Sequence, residues 1–72
     1  SGIEGAVRVT FEVDTLGVPD MTTFTVLSSD HRLFTSAVRG TVPSMRFVPA
    51  EANGRRTRWL IRMPFEFSVA RQ

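Results

Sequence analysis

The run from Arg56 to Val69 constrains this chain more than any other feature. Thr57, Trp59, Ile61, Met63, Phe65, Phe67 and Val69 alternate with Arg58, Arg62, Glu66 and Ser68, and a period of two marks a strand with one buried face. Only Leu60 and Pro64 interrupt the polar side. At about 3.3 Å per residue the strand reaches ~40 Å. A second alternating run, Gly5 to Val13, places Val7, Val9, Phe11 and Val13 on one face and Arg8, Thr10 and Glu12 on the other. It is shorter, so part of the last strand is expected to overhang.

Between these runs the chain turns twice. Asp14, Thr15, Leu16 and Gly17 form a turn, because Asp bonds its own backbone and Gly supplies positive φ. A second strand follows to Ser28, strongest over Thr22 to Leu27 with Phe24 and Val26 on one face, and weakened at its start by Pro19 and Asp20. Ser28, Ser29 and Asp30 are N-cap residues in front of Phe34, Ala37, Val38, Val42 and Met45, which recur at helical spacing. Pro43 ends that helix, and Gly40 lowers its propensity. Ser44 to Ala52 reads as irregular with Phe47 as a core anchor, and Asn53-Gly54 is a turn signal.

The expected fold is therefore α+β, in the order β-β-α-β. A hairpin followed by a crossover helix returns the last strand antiparallel beside the first. The result is a three-stranded antiparallel sheet of order 2-1-3 with one helix packed on one face. The expected core is Val9, Phe11, Phe34, Val38, Phe47, Trp59, Ile61 and Phe65.

With 72 residues there is room for one domain, 1–72, which buries roughly 60% of the surface its unfolded chain exposes. No apolar run approaches the ~20 residues of a membrane span. All nine basic residues are Arg, and Lys, Tyr and Cys are absent. Little titrates between His31 and the arginines, so the pI of 11.1 exaggerates a net charge of only +2. Without Cys there is no disulfide, thiol catalysis or Cys-based zinc site. Ser1-Gly2 reads as a cloning remnant, and the chain as a piece of a longer protein.

Five pieces, in order, resemble the C-terminal domain of TonB-type energy transducers. They are Gly5 with its alternating strand, the Asp14 to Gly17 turn, the Ser28-Ser29 pair before the helix, Phe47 with Pro49-Ala50, and Pro64-Phe65 with Phe67. Met45 stands where that family usually has Trp, and Asp30 where it often has Gly after the serine pair. The resemblance implies a periplasmic domain at the end of an inner-membrane-anchored protein, with anchor and linker upstream. Such domains capture an extended segment, the TonB box, of an outer-membrane transporter and pass on force from a proton-driven inner-membrane complex, supporting siderophore or nutrient uptake. The capture mode is strand addition, in which main-chain bonds give affinity and alternate side chains give specificity.

Strand parity refines where a partner would dock. Pro64 has no N–H, so its backbone should point outward, away from the first strand. By the same parity Arg58, Leu60 and Arg62 present their backbones outward, and Trp59, Ile61 and Met63 pair inward. Arg56, Arg58, Leu60 and Arg62 are the expected partner-strand residues, with Pro64 limiting the open edge. A β-bulge would reverse this parity.

Other readings fare less well. Arg55, Arg56, Arg58, Arg62 and Arg8 could meet phosphate, but the aromatics share the core parity and leave no stacking platform for nucleic acid. Ser28, Ser29, Asp30 and His31 hold the residue types of a catalytic triad, yet as sequence neighbours they suit helix capping instead. His31 is the only histidine, Asp14 and Asp20 lack the spacing of a calcium loop, and no Gly-rich phosphate loop is present. No catalytic residue, metal or cofactor is expected. The Phe34, Val38, Val42 and Met45 stripe is cover for the sheet. An overhanging apolar edge could also pair with a second copy as a homodimer. The alternative is a module of another envelope protein, such as a membrane sensor or protease.

Overall fold

The computed structural model describes residues 2–70, and the side chains of residues 4–68. Three strands form one antiparallel sheet: β1 (Gly2–Val13), β2 (Pro19–Ser29) and β5 (Trp59–Ala70), in the order β2-β1-β5. Helix α1 (Arg32–Thr41) continues into a short 3-10 turn, Val42–Ser44. Pro43 sits where the regular helix ends, since a proline ring is tolerated in a first turn but not in a helix interior. The α+β architecture and sheet order match the sequence reading. Ser1 and the Val69 side chain, read above as a remnant and as part of the inward face, lie outside the described residues.

Alternation in β1 builds the core. Val7, Val9, Phe11 and Val13 have no exposed surface and meet Phe34, Val38 and Val42 from the helix side. Phe11 lies at the centre, its ring 6.5 Å from that of Phe24 and 5.9 Å from that of Phe47. Ile61 is buried as well, whereas Phe47 and Phe65 are partly buried. Trp59 departs from its expected core position. It is 37% exposed, because it stands at the end of the sheet opposite Val13.

Two glycines allow close approach of neighbouring segments. A Cβ on Gly5 would lie 2.8 Å from Cβ of Asp30 and 3.0 Å from the Phe34 ring. The bare position lets Phe34 stack flat on Phe67, ring centres 4.4 Å apart, with Phe67 directly across from Gly5. Gly17 has φ +84°, and its C=O accepts the Phe47 N–H at 2.9 Å. This bond ties the segment after the helix to the first turn. Within that turn, Asp14 Oδ1 accepts the N–H groups of Leu16 and Val18, which is the expected Asp chemistry.

Three details differ from the sequence reading. The N-cap is His31, whose Nδ1 accepts the Leu33 N–H at 3.0 Å. Asp30 is drawn away to β1, where its carboxylate accepts the Ala6 N–H at 2.8 Å and its own N–H donates to the Ala6 carbonyl. Next, part of the segment expected to be irregular forms a hairpin of β3 (Ala50–Ala52) and β4 (Arg55–Thr57). Its turn is Asn53-Gly54 with φ of 54° and 77°, the doubly left-handed pattern that suits a two-residue hairpin. The last main-sheet strand therefore starts at Trp59 rather than Arg56. Finally, β1 begins at Gly2 and pairs with β5 from Gly2↔Ala70 to Val13↔Trp59. The expected overhang is absent among the described residues.

Candidate partner-strand docking edge

A three-stranded open sheet has two free edges, and here they differ. The β2 edge is irregular. Its register against β1 shifts between Arg8 and Val9 and again between Thr10 and Glu12. At the second shift the Glu12 N–H donates to Thr23 Oγ1 at 2.8 Å, and that hydroxyl donates to the Asp20 carbonyl. Bulges of this kind twist an edge and spoil it as a template for pairing. The β5 edge has no register shift over its 12 residues.

Backbone direction along β5 follows from β1. Ala6 directs both its N–H and its C=O to Asp30, and Glu12 directs its N–H to Thr23. Even residues of β1 thus face β2, and odd residues face β5. Across the unbroken register, Trp59, Ile61, Met63, Phe65 and Phe67 turn their backbones inward to Val13, Phe11, Val9, Val7 and Gly5. Leu60, Arg62, Pro64, Glu66 and Ser68 turn theirs outward. Pro64 stands opposite Arg8, where its missing N–H removes no bond to β1.

The four residues expected on this edge are split by the structure. Leu60 and Arg62 lie on β5 with outward backbones, and Leu60 is 63% exposed. Arg56 is not on the edge. It pairs with Glu51 in the small hairpin, since the strand is interrupted at Arg58, between β4 and β5. Arg58 occupies that break, and its guanidinium reaches over the open sheet face, Nε to Glu12 Oε1 at 3.0 Å and Nη2 to Asp20 Oδ2 at 2.6 Å. This clamp joins the start of β5 to β1 and β2. Sequence reading stopped the edge at Pro64 and so missed Glu66 and Ser68. Their parity was visible, but Pro64 was taken as the limit of the open edge.

Of the basic patch, Arg8 and Arg62 lie on the adjacent strands β1 and β5. Arg58 is engaged by two carboxylates, and Arg55 and Arg56 sit on the hairpin. Phe24, Phe34, Phe47 and Phe67 pack with the core on the helix side, so the open face presents none of them for base stacking. The triad-type residues are occupied at the helix start. Ser29 Oγ donates to the His31 carbonyl and accepts from Thr35 Oγ1, while His31 caps the helix.

Two carboxylates are held below their ordinary range. Asp14 is stabilised as the anion by the Val18 and Leu16 N–H groups. Asp20 is stabilised by the Thr22 hydroxyl, then by Arg58 and the Thr22 N–H. Arg58 is shifted upward by Asp20 and Glu12. For a carboxylate depressed in the folded state, the contribution to stability is present above the unfolded value of about 4 and is lost as pH falls through the folded one. The urea midpoint is expected to be flat from pH 5 to 8 where these groups are concerned, and to fall below about pH 4 as Asp14 and Asp20 are protonated.

Among the described residues no helix is long and apolar enough to cross a membrane. No curated protein and no solved structure matches the chain. A family model described as Gram-negative bacterial TonB protein C-terminal matches residues 1–69. With nearly its whole length so matched, the chain belongs to the TonB C-terminal family.

Proposed function

We propose that this chain is the periplasmic, partner-binding end of a TonB-like energy transducer, and that it captures the TonB box of an outer-membrane transporter as an added strand on β5. The TonB C-terminal family is one of protein-interaction domains rather than enzymes, and such domains interact with outer-membrane transporters. The observation that carries the reading is the straight outer edge of β5, with backbones directed outward at Leu60, Arg62, Glu66 and Ser68. Main-chain bonds to those residues supply affinity, and pockets beside alternate side chains supply selectivity. In this reading residues 1–72 act as one domain. An upstream anchor and linker connect it to the proton-driven inner-membrane complex, and tension on the captured strand supports energy-dependent uptake.

Arg62→Pro tests the edge with little damage to the fold. Like Pro64, the new proline would lose only an outward N–H, and its ring would stand in the path of the incoming strand. The variant is expected to keep its unfolding free energy, measured in urea, within about 1 kcal/mol of the parent. Its affinity for a synthetic TonB-box peptide, read by Trp59 fluorescence, is expected to fall at least tenfold, or ~1.4 kcal/mol. Unchanged affinity in a folded variant would contradict docking on β5.

A further inference from the structure

Charge changes sign along the outer edge of β5. Arg62 and Glu66 are both exposed, on the sheet face away from α1, with Pro64 between them. Neither takes part in an ion pair among the described residues, where the clamp at Arg58 uses Glu12 and Asp20 instead. Both turn their backbones outward, so an added strand sets one residue directly across from Arg62 and another directly across from Glu66. An open cavity of about 440 Å³ adjoins Glu66 and is lined also by Glu4, Asp30 and Ser68. The other face of the edge is apolar, since Met63, Phe65 and Phe67 are only partly buried.

We propose that this edge selects the strand it captures by charge. It takes an acidic residue across from Arg62, a basic residue across from Glu66, and apolar residues at the alternate positions between them. Such selection presupposes strand capture by β5 and names the kind of strand that is taken.

Opposite charges directly across neighbouring strands stabilise the pair, and like charges oppose it. Neighbouring strands lie ~4.8 Å apart, so a lysine across from Glu66 spans that residue and brings its ammonium to the cavity, where Glu4 and Asp30 add negative charge. A glutamate in the same place would meet those carboxylates instead. The residues in between turn to the helix side and cover Met63 and Phe65, which α1 leaves open because it packs over β1 and β2. Since the two charged positions differ, the order of charges along the captured strand also sets its direction. An acid followed four residues later by a base fits with the strand parallel to β5, and the reverse order fits with it antiparallel. Main-chain pairing alone would not tie direction to charge order.

Synthetic nine-residue peptides of alternating Thr and Val test this selection. They carry Glu then Lys, Lys then Glu, two Glu, two Lys, or two Thr at their third and seventh positions. The parent chain is expected to bind the peptides with one charge of each sign about fivefold more tightly than those with two like charges. Glu66→Arg is expected to prefer the two-Glu peptide to the two-Lys peptide by about tenfold, and Arg62→Glu to show the opposite preference. Far-UV circular dichroism melts check that each variant is folded. A spin label at the peptide N-terminus is expected to broaden the Leu60 amide when Glu comes first and the Ser68 amide when Lys comes first. Equal affinity for all the peptides, with the outward amides of β5 protected in each complex, would overturn charge selection and leave capture standing. No binding of any peptide, the uncharged one included, would overturn capture and selection together.

Discussion

Phe11→Ala is expected to remove most of the stability of the fold, leaving it marginal at room temperature. Phe11 has no exposed surface, lies on the central strand, and touches a ring from each side of the core, Phe24 from β2 and Phe47 from the segment after the helix. Removing a buried phenylalanine costs about 3–5 kcal/mol, part in lost transfer energy and part in the cavity left behind. A domain of this size has a total stability of about 5 kcal/mol. The neighbours cannot collapse into the gap easily, since Val9 and Val13 are held by pairing on both sides of β1. Urea unfolding followed by circular dichroism would show a midpoint near zero denaturant. A midpoint close to that of the parent would place the core elsewhere.

Gly17→Ala is expected to destabilise the fold by about 3 kcal/mol or more, although it adds a single methyl group. The positive φ alone costs a side chain about 1–3 kcal/mol. Here the added Cβ would also fall 2.0 Å from the carbonyl oxygen of Phe47, and forcing extra volume into a tight contact costs a further 1–3 kcal/mol or so. Relief requires the Phe47 backbone to move, which breaks its N–H bond to Gly17 and draws the ring off Phe11. Gly54 provides the comparison. It too has positive φ, but a Cβ there meets nothing within 4 Å, so Gly54→Ala should show the conformational cost without the collision. Equal losses at the two sites would mean that the Gly17 contact with Phe47 contributes little.

The parts of this fold that sequence could show were those set by local pattern. Alternation at Val7, Val9, Phe11 and Val13 marked the central strand, Pro43 marked the helix end, and Asn53-Gly54 marked the hairpin turn. What escaped depends on contacts between distant residues. The N-cap moved to His31 because Asp30 bonds Ala6 across the sheet, a partner 24 residues away. The break before Trp59 is held by Arg58 reaching Glu12 and Asp20, and nothing local distinguishes Arg58 from Arg56 or Arg62. Hairpin pairing of Ala50–Ala52 with Arg55–Thr57 is likewise invisible in three-residue strands too short to show a period.

Parity, by contrast, carried part of the candidate edge, since Leu60 and Arg62 lie on β5 as expected whereas Arg56 and Arg58 do not. Pro64 alone identified which residues of β5 face outward, because a strand with a regular register allows only one answer once one position is known. The reading stopped short of Glu66 and Ser68 because Pro64 was taken as the limit of the open edge. The unbroken pairing of β1 with β5 adds Glu66 and Ser68 to the outward-facing residues beyond Pro64.

The central claim is that a partner strand docks on the outer edge of β5. Amide hydrogen exchange, with and without a TonB-box peptide, measures it residue by residue. Docking predicts new protection at Leu60, Arg62, Glu66 and Ser68, with Ile61, Met63, Phe65 and Phe67 unchanged because their N–H groups already face β1. Protection that appears on β2 alone, or at the inward residues of β5 and not the outward ones, would contradict it.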